Sequence, residues 1–191
     1  MLREIELKFM LNKDKYSELL TCINWEIPYS QINFYYMDKE RQLIKDNNTI
    51  RVRGKKEGLK LQIKLHEEIN GAKHINKEYE ADIETVPYEI LGHELQMICG
   101  KDFPDVKMCG YLITERCVCK KYMGVEMCLD RNIYLGKEDY ELEIEYTIEE
   151  LPADIIRLIN VYNFDVFNKS RGKFKRFTDR LLEDEINRDD F

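Results

Sequence analysis

Charged residues recur at every second position of several short segments, and most segments carry charge of one sign. The acidic members are Glu4, Glu6, Glu78, Glu80, Glu141, Glu143 and Glu145, and the basic members are Arg51, Arg53, Lys60, Lys64, Arg116 and Lys120. Successive side chains of a β-strand point to opposite faces, so each set occupies one face of a predicted strand. Carboxylate oxygens are ligands for Mg²⁺ and Mn²⁺, and guanidinium groups match phosphate oxygens. Together in one cavity, these groups predict a metal-dependent site for a phosphate chain.

The charged faces have two possible orientations. In a half-buried sheet they would face water and aid solubility, and the pattern by itself favours this arrangement. In a closed barrel they would instead point inward. The carboxylates of such a lumen would repel one another unless lysine, arginine and bound metal cations offset their charge.

The predicted elements that carry these residues are strands and four helices. Helices are predicted at residues 12–24, 86–99, 150–162 and 174–188, and strands at residues 3–10, 49–54, 59–65, 76–83, 111–122, 124–131 and 139–147. Glu57 and Gly58 predict a hairpin turn between two of the strands. The short connections indicate a mostly antiparallel sheet with helices packed against it, an α+β fold. With 191 residues and no repeat or linker, we expect one domain over residues 1–191.

Composition limits the partners and the location. The formal net charge of -7, from 30 basic and 37 acidic residues, argues against non-specific nucleic-acid binding. No segment reaches the roughly 18 apolar residues that a membrane span needs, so no membrane association is expected. The N-terminal residues MLREIELKF lack the apolar core of a secretory signal. A cytoplasmic location is therefore expected, with the six cysteines as free thiols.

The order of these segments resembles the CYTH domain family, the triphosphate tunnel metalloenzymes of the class IV adenylate cyclase and thiamine triphosphatase superfamily. Glu4–Lys8 resembles the family's E-x-E-x-K strand, Tyr35–Asp38 its Y-x-D segment, Thr49–Arg53 its L-R-x-R strand, Lys60–Lys64 its T-x-K strand and Glu78–Glu80 its E-x-E strand. Gln62 stands where the family commonly has threonine. Arg116, Asp130, Glu141–Glu145 and Lys173 follow in the expected order, so the resemblance covers residues 3 to about 177.

The resemblance implies an eight-stranded antiparallel β-barrel, a tunnel with a charged lumen flanked by helices. It also implies Mg²⁺ or Mn²⁺ as cofactor. The implied metal ligands are Glu4, Glu6, Glu143, Glu145 and Asp130, and the implied phosphate-binding residues are Arg51, Arg53, Lys64, Arg116 and Lys173. Lys8 would contact phosphate or order the attacking water, which makes Lys8, Glu4 and Glu6 the implied catalytic residues. Glu78 and Glu80 would orient basic residues or serve a second metal.

The leading functional hypothesis is hydrolysis of a small-molecule triphosphate or polyphosphate by water inside the tunnel. Inorganic tripolyphosphate is the expected substrate, with thiamine or nucleoside triphosphate as alternatives. A class IV adenylate cyclase and a non-catalytic phosphate-binding module stay open. Tyr35, Tyr36 and Trp25 could border an organic base, but packing is the expected role of each. The three histidines, His66, His74 and His93, lie outside the motifs and are expected at the surface.

Overall fold

The computed structural model describes the backbone of residues 2–189 and the side chains of residues 5–186, which form nine strands and five helices. The strands are β1 (Leu2–Leu11), β2 (Tyr29–Met37), β3 (Thr49–Lys55), β4 (Gly58–Asn70), β5 (Lys73–Ile83), β6 (Glu89–Ile90), β7 (Val106–Tyr122), β8 (Val125–Tyr134) and β9 (Lys137–Tyr146). The helices are α1 (Lys13–Cys22), α2 (Gln42–Lys45), α3 (Gly92–Cys99), α4 (Ala153–Val161) and α5 (Lys173–Asp189).

Eight of the strands close into an antiparallel barrel. Their order is β2-β3-β4-β5-β1-β9-β8-β7, and β7 pairs back onto β2 along Tyr29↔Arg116 to Met37↔Lys107. The two-residue strand β6 adds to the outer side of β7. The predicted α+β fold and the eight-stranded barrel with flanking helices are therefore confirmed. In this circular order β2 lies opposite β1, because three strands separate the two in either direction.

The charged strand faces point into the barrel. On β3, Ile50 and Val52 are buried in an outer apolar layer, whereas Arg51 and Arg53 belong to the inner face. Glu6 and Lys8 on β1 are buried on the same inner side. The orientation that the pattern by itself favours, with ionic faces toward water, is wrong, because the apolar faces are covered by helices on the outside.

The hydrophobic core surrounds the barrel instead of filling it. One apolar cluster packs α1 and α4 against β1, β8 and β9, with Leu19 and Ile155 fully buried. A second packs α2, α3 and α5 against β2 and β3, with Leu43, Leu95 and Phe177 fully buried. These two layers stabilise the barrel from outside and leave its interior to polar groups.

The predicted helices are present, with shifted boundaries. Helix α1 begins after Asn12, whose Oδ1 accepts the Lys15 amide at 2.8 Å. Helix α3 begins six residues later than predicted because residues 89–90 extend as β6. It ends at Gly100, where φ is 72°, as predicted. Strand β2 and the short helix α2 were not predicted. Within the described residues no helix has the length and apolar character that a membrane crossing requires.

A charged tunnel as candidate active site

Strand pairing brings the predicted acids together on one wall of the tunnel. In the β1–β9 register Glu6 lies opposite Glu145 and Lys8 lies opposite Glu143. In the β8–β9 register Asp130 lies opposite the Glu141 position. The period-two alternation of each strand turns all these side chains inward. The wall formed by β1, β9 and β8 is therefore the acidic side of the lumen.

These acids form two groups that share one member. The first carboxylate cluster is Glu6, Glu143 and Glu145, and the second carboxylate cluster is Asp130, Glu141 and Glu143. In each cluster one carboxylate oxygen per residue lies within 4.8 Å of the others. The donors are all carboxylate oxygens, the ligands that Mg²⁺ and Mn²⁺ prefer, so the chemistry of both clusters fits such a cation.

Two lysines and one amide surround the first carboxylate cluster. Lys8 Nζ lies 2.7 Å from Glu6 Oε2 and contacts Glu143. Lys64 Nζ lies 3.0 Å from Glu6 Oε1 and 3.2 Å from Glu78, and Asn76 Nδ2 donates to Glu6 Oε1 at 3.2 Å. Burial alone would lower the pKa of Lys8, but the carboxylates of Glu143 and Glu6 outweigh it and raise that pKa. Lys8 is therefore a fixed cation beside Glu6.

One lysine joins all three members of the second carboxylate cluster. Lys173 Nζ, at the start of α5, lies 2.8 Å from Asp130 Oδ2 and 3.0 Å from Glu143 Oε1, and it contacts Glu141. Burial would lower the pKa of Lys173, yet these carboxylates raise it. The ammonium group thus occupies the centre of the cluster.

Two arginines complete the second carboxylate cluster. Arg116 makes two hydrogen bonds to Asp130, at 2.8 and 2.6 Å, and a third to Glu143 at 2.6 Å. Arg176 Nη1 donates to Glu141 at 3.0 Å. Burial would raise the pKa of Glu141, but Arg176 and Lys173 lower it to about 2. Because these pairs are enclosed, they are screened little by solvent.

A cavity of about 450 Å³ lies at the end of the tunnel where α5 begins. Its lining includes Lys8, Arg51, Lys64, Lys169, Arg171, Lys173 and Lys175. Glu6 is the one acidic side chain among the described residues that line it. The cavity is therefore strongly cationic and suits a polyanion.

Like-charged arginines lie close together on the inner face of β3. Arg51 Nε donates to Gln62 Oε1 at 2.8 Å, and Arg53 Nε donates to Asn33 Oδ1 at 3.1 Å. Burial, together with the positive charges of Arg51 and Arg116, lowers the pKa of Arg53 to about 10. A bound anion would relieve this repulsion, so the region is suited to phosphate.

The other residues that the sequence analysis singled out are Glu4, Lys60, Lys120, Asp38 and the six cysteines. The backbone of Glu4 lies in β1, but its side chain lies outside the described residues. Lys60 and Lys120 are exposed and pair with Glu80 at 3.1 Å and Glu126 at 2.8 Å. Asp38 accepts hydrogen bonds from the amides that begin α2. All six cysteines are free thiols.

The aromatic residues pack as expected, but one histidine does not lie at the surface. Tyr36 donates to Pro87 O, and Trp25 donates to Leu19 O at 3.0 Å. The expectation for His74 is wrong, because it is 5% exposed and its Nε2 lies 3.0 Å from Ser170 Oγ. Burial, together with Lys8, lowers the pKa of His74 to about 4, so the ring is neutral.

The sequence prediction missed the neutral polar residues of the lumen. Gln31, Asn33, Asn76, Thr114 and Asn132 are all buried on inner strand faces. Each lies on the same strand face as charged residues of its own strand or of the paired strand. This period-two spacing is the signal that could have identified them. They were missed because neutral amides and hydroxyls occur on solvent-exposed strand faces as well as on inner ones.

Comparisons with known proteins agree with this geometry. A model of the CYTH domain matches residues 2–172. A structure from Bacillus halodurans with a provisional adenylate cyclase assignment aligns with a TM-score of 0.68 and 22% identity, over 93% of this chain and 99% of that chain. A provisionally assigned adenylyl cyclase from Hippeastrum, described as having a dominant triphosphatase activity, aligns with a TM-score of 0.70 and 17% identity, over 92% and 95%. No curated protein matches significantly.

Proposed function

Since this chain belongs to the CYTH domain family, we propose that it is a metal-dependent hydrolase of triphosphates, with inorganic tripolyphosphate as substrate. The observation that carries the proposal is the meeting of an oxygen-donor cluster with a cationic cavity inside one tunnel. Pure anion binding needs cations and gains nothing from buried carboxylates. The proposal takes residues 1–191 as one cytoplasmic domain with a small-molecule substrate.

In this proposal the first carboxylate cluster, with Glu4 as a further ligand, holds Mg²⁺ or Mn²⁺. The metal, when bound, neutralises charge on the phosphate chain as it reacts. Arg51, Arg53 and Lys64 hold the phosphate oxygens by charge-assisted hydrogen bonds. Their task is to position the chain and to stabilise charge as the terminal phosphoryl group leaves.

Lys8 has the geometry to act at the reacting phosphate. It lines the cationic cavity and is held against Glu6 and Glu143. Because its pKa is raised, it stays protonated at neutral pH and cannot serve as a base. We therefore assign Lys8 to donating hydrogen bonds to the terminal phosphate and to the attacking water. Glu6, which accepts from Lys8 and Asn76, is the carboxylate among the described residues lining the cavity and is assigned to accept the proton of that water.

The aromatic side chains of the cavity favour an inorganic substrate. Tyr35 lines the cavity, but its ring packs against Phe174 and Phe177 with centroid distances of 5.2 and 5.1 Å. A thiamine or nucleoside base would stack on a free aromatic face, and the ring of Tyr35, which is fully buried, offers none. The cationic lining instead matches a ligand that is phosphate throughout.

The test is release of phosphate from tripolyphosphate, thiamine triphosphate and ATP, each with Mg²⁺, Mn²⁺ or EDTA. Metal-dependent release, fastest with tripolyphosphate and abolished by EDTA, is the expected result. Pyrophosphate and cyclic AMP from ATP would identify a cyclase instead. Tight triphosphate binding without release would identify a binding module.

A variant of the arginine row tests the assigned substrate contacts in the same assay. Arg53→Met removes one charge-assisted contact and should raise KM for tripolyphosphate about 10-fold or more. Arg157→Met, exposed on α4, is the matched control and should behave as wild type. An Arg53→Met enzyme with unchanged KM would remove Arg53 from the substrate site.

A further inference from the structure

Three inward-facing side chains of β2 hold buried polar atoms for which the described part of the chain supplies no hydrogen-bond partner. Gln31, Asn33 and Tyr35 are 2%, 0% and 0% exposed. Among the described residues, no hydrogen-bond partner reaches Gln31 Nε2 and Oε1, Asn33 Nδ2 or Tyr35 Oη. Leaving a buried polar group unpaired costs about 1–3 kcal/mol, and buried polar groups are nearly always paired. Three neighbouring exceptions on one strand face therefore point to a ligand.

These atoms face the same lumen as the charged residues. Asn33 accepts a hydrogen bond from Arg53, and Tyr35 lines the cationic cavity together with Arg51. Gln31 pairs across the β2–β7 register with Thr114, whose hydroxyl donates to Asn132 inside the barrel. From Gln31 to Tyr35 the row spans about 13 Å, at 3.3–3.4 Å per residue.

The row also lies across the tunnel from the first carboxylate cluster. Strand β1 carries Glu6 and pairs with β9, which carries Glu143 and Glu145, whereas β2 is opposite β1 in the circular strand order. A phosphate chain held at the acidic wall by a cation would turn its other oxygens toward β2. The neutral row is therefore placed to receive them.

Three of the four available atoms of this row, Gln31 Nε2, Asn33 Nδ2 and Tyr35 Oη, are hydrogen-bond donors, and the fourth, Gln31 Oε1, is an acceptor. The Oδ1 of Asn33 is taken by Arg53, which leaves its Nδ2 hydrogens to donate. Burial raises the pKa of Tyr35, against the opposing effect of Arg51 and Lys173, so its hydroxyl keeps its proton. Neutral donors add hydrogen bonds to an anion without adding repulsion to the crowded Arg51 and Arg53.

We propose that Gln31, Asn33 and Tyr35 form a neutral donor row that binds non-bridging oxygens along the phosphate chain and selects triphosphate over shorter anions. The inference rests on the proposed function, since it deepens the substrate preference of the same site. Because the row spans about 13 Å, a triphosphate contacts more of it than a pyrophosphate does. Loss of a donor should therefore penalise tripolyphosphate more than pyrophosphate.

The experiment compares Tyr35→Phe and Asn33→Asp with wild type. Tyr35→Phe removes only the unpaired hydroxyl, so the melting midpoint without ligand should stay equal or rise while KM for tripolyphosphate rises several-fold. Asn33→Asp keeps the acceptor for Arg53 but replaces the donor by a negative charge, so KM should rise at least tenfold. Ser30→Asp, exposed on the outer face of β2, is the matched control and should leave KM unchanged.

The readouts are kcat and KM for tripolyphosphate, and binding of tripolyphosphate and pyrophosphate to the manganese-loaded protein by calorimetry. Hydrolysis with unchanged KM and binding in both variants would overturn the donor row and leave the hydrolase intact. Binding without hydrolysis in wild type, weakened in both variants, would support the row and overturn the hydrolase. A wild type that neither binds nor hydrolyses tripolyphosphate would overturn both.

Discussion

The two carboxylate clusters share Glu143, yet they differ in what fills them and in how accessible they are. Asp130 and Glu141 of the second cluster are 0% exposed, and Lys173 joins all its members. In the first cluster Glu145 is half-buried and lines a cavity of about 540 Å³, whereas Glu6 lines the cationic cavity. The first cluster therefore lies between two openings and the second is enclosed.

This difference indicates that the cation of the second cluster is structural, whereas the cation of the first cluster is exchangeable. The Lys173 ammonium occupies the position that a metal would take in the second cluster, and it fixes the start of α5 to the barrel. We therefore expect one metal, at the first cluster. We propose that Asp130 then orients Arg116, to which it is hydrogen-bonded, and that Lys173 reaches phosphate at the edge of the cavity. The assignment of Asp130 to metal and of Lys173 to phosphate stays a prediction.

The largest expected effect is on stability when Lys173 is replaced. Lys173→Met leaves buried carboxylates without their shared cation, and the free energy of unfolding should fall by about 3–5 kcal/mol in urea denaturation. Lys175→Met is the matched control. Lys175 is half-exposed on the same helix and pairs with Asp179, so the loss should be about 0–1 kcal/mol. Similar losses for both variants would mean that Lys173 is not the cation that holds the cluster together.

Stabilisation by manganese should also distinguish Lys173→Met from the wild type. If Lys173 stands where a cation would bind, Mn²⁺ should restore part of the stability of Lys173→Met, because binding to the folded state stabilises it. The increment should exceed that of wild type at equal Mn²⁺ concentration. An equal increment in the two proteins would show that removing Lys173 opens no second site.

The next largest expected effect is a fall in the rate of metal-dependent hydrolysis. Glu6→Gln should lower the rate about 100-fold or more at limiting Mn²⁺, because loss of even an outer partner of a metal ligand costs about 10–100-fold. Glu141→Gln, the matched change in the second cluster, should mainly reduce stability. Initial rates across a manganese titration measure the difference. Equal activation constants in the two variants would contradict the division between the clusters.

Acid should weaken the second cluster through Glu141. Its folded pKa of about 2 lies below the ordinary value of 4.5, so its contribution is complete above pH 4.5 and is lost as pH falls toward 2. At about 1.4 kcal/mol per pH unit, about 2 kcal/mol should disappear between pH 4.5 and 3. Urea denaturation across this range measures the slope, and Glu141→Gln should flatten it. An unchanged slope in that variant would assign the acid sensitivity elsewhere.

The smallest effect on KM is expected for Lys60, a charged residue on an inner strand face that is exposed to solvent. Lys60 lies on the inner side of β4, but its ion pair with Glu80 is exposed to solvent. Lys60→Gln should change KM for tripolyphosphate less than Arg53→Met does, because water screens the charge. A loss as large as that of Arg53→Met would place Lys60 in the substrate site.

The strand faces were predictable because a period of two fixes which side chains share a side. That rule correctly grouped Glu6 with Lys8, and Arg51 with Arg53. It could not decide between lumen and solvent, since barrel closure depends on the pairing of β2 with β7. It also could not show that Lys173 enters the second cluster, because docking of α5 joins residues far apart in sequence.

The position of β1 between β5 and β9 has a consequence for how the chain reaches its native state. Lys8 and Glu143, which contact each other in the lumen, are 135 residues apart in sequence. The first strand made must therefore wait for β9, which ends at Tyr146, before the barrel can close. Folds dominated by such distant contacts fold in milliseconds to seconds, more slowly than helical proteins. During synthesis, most of the chain must leave the ribosome before the charged strand faces are sealed from water.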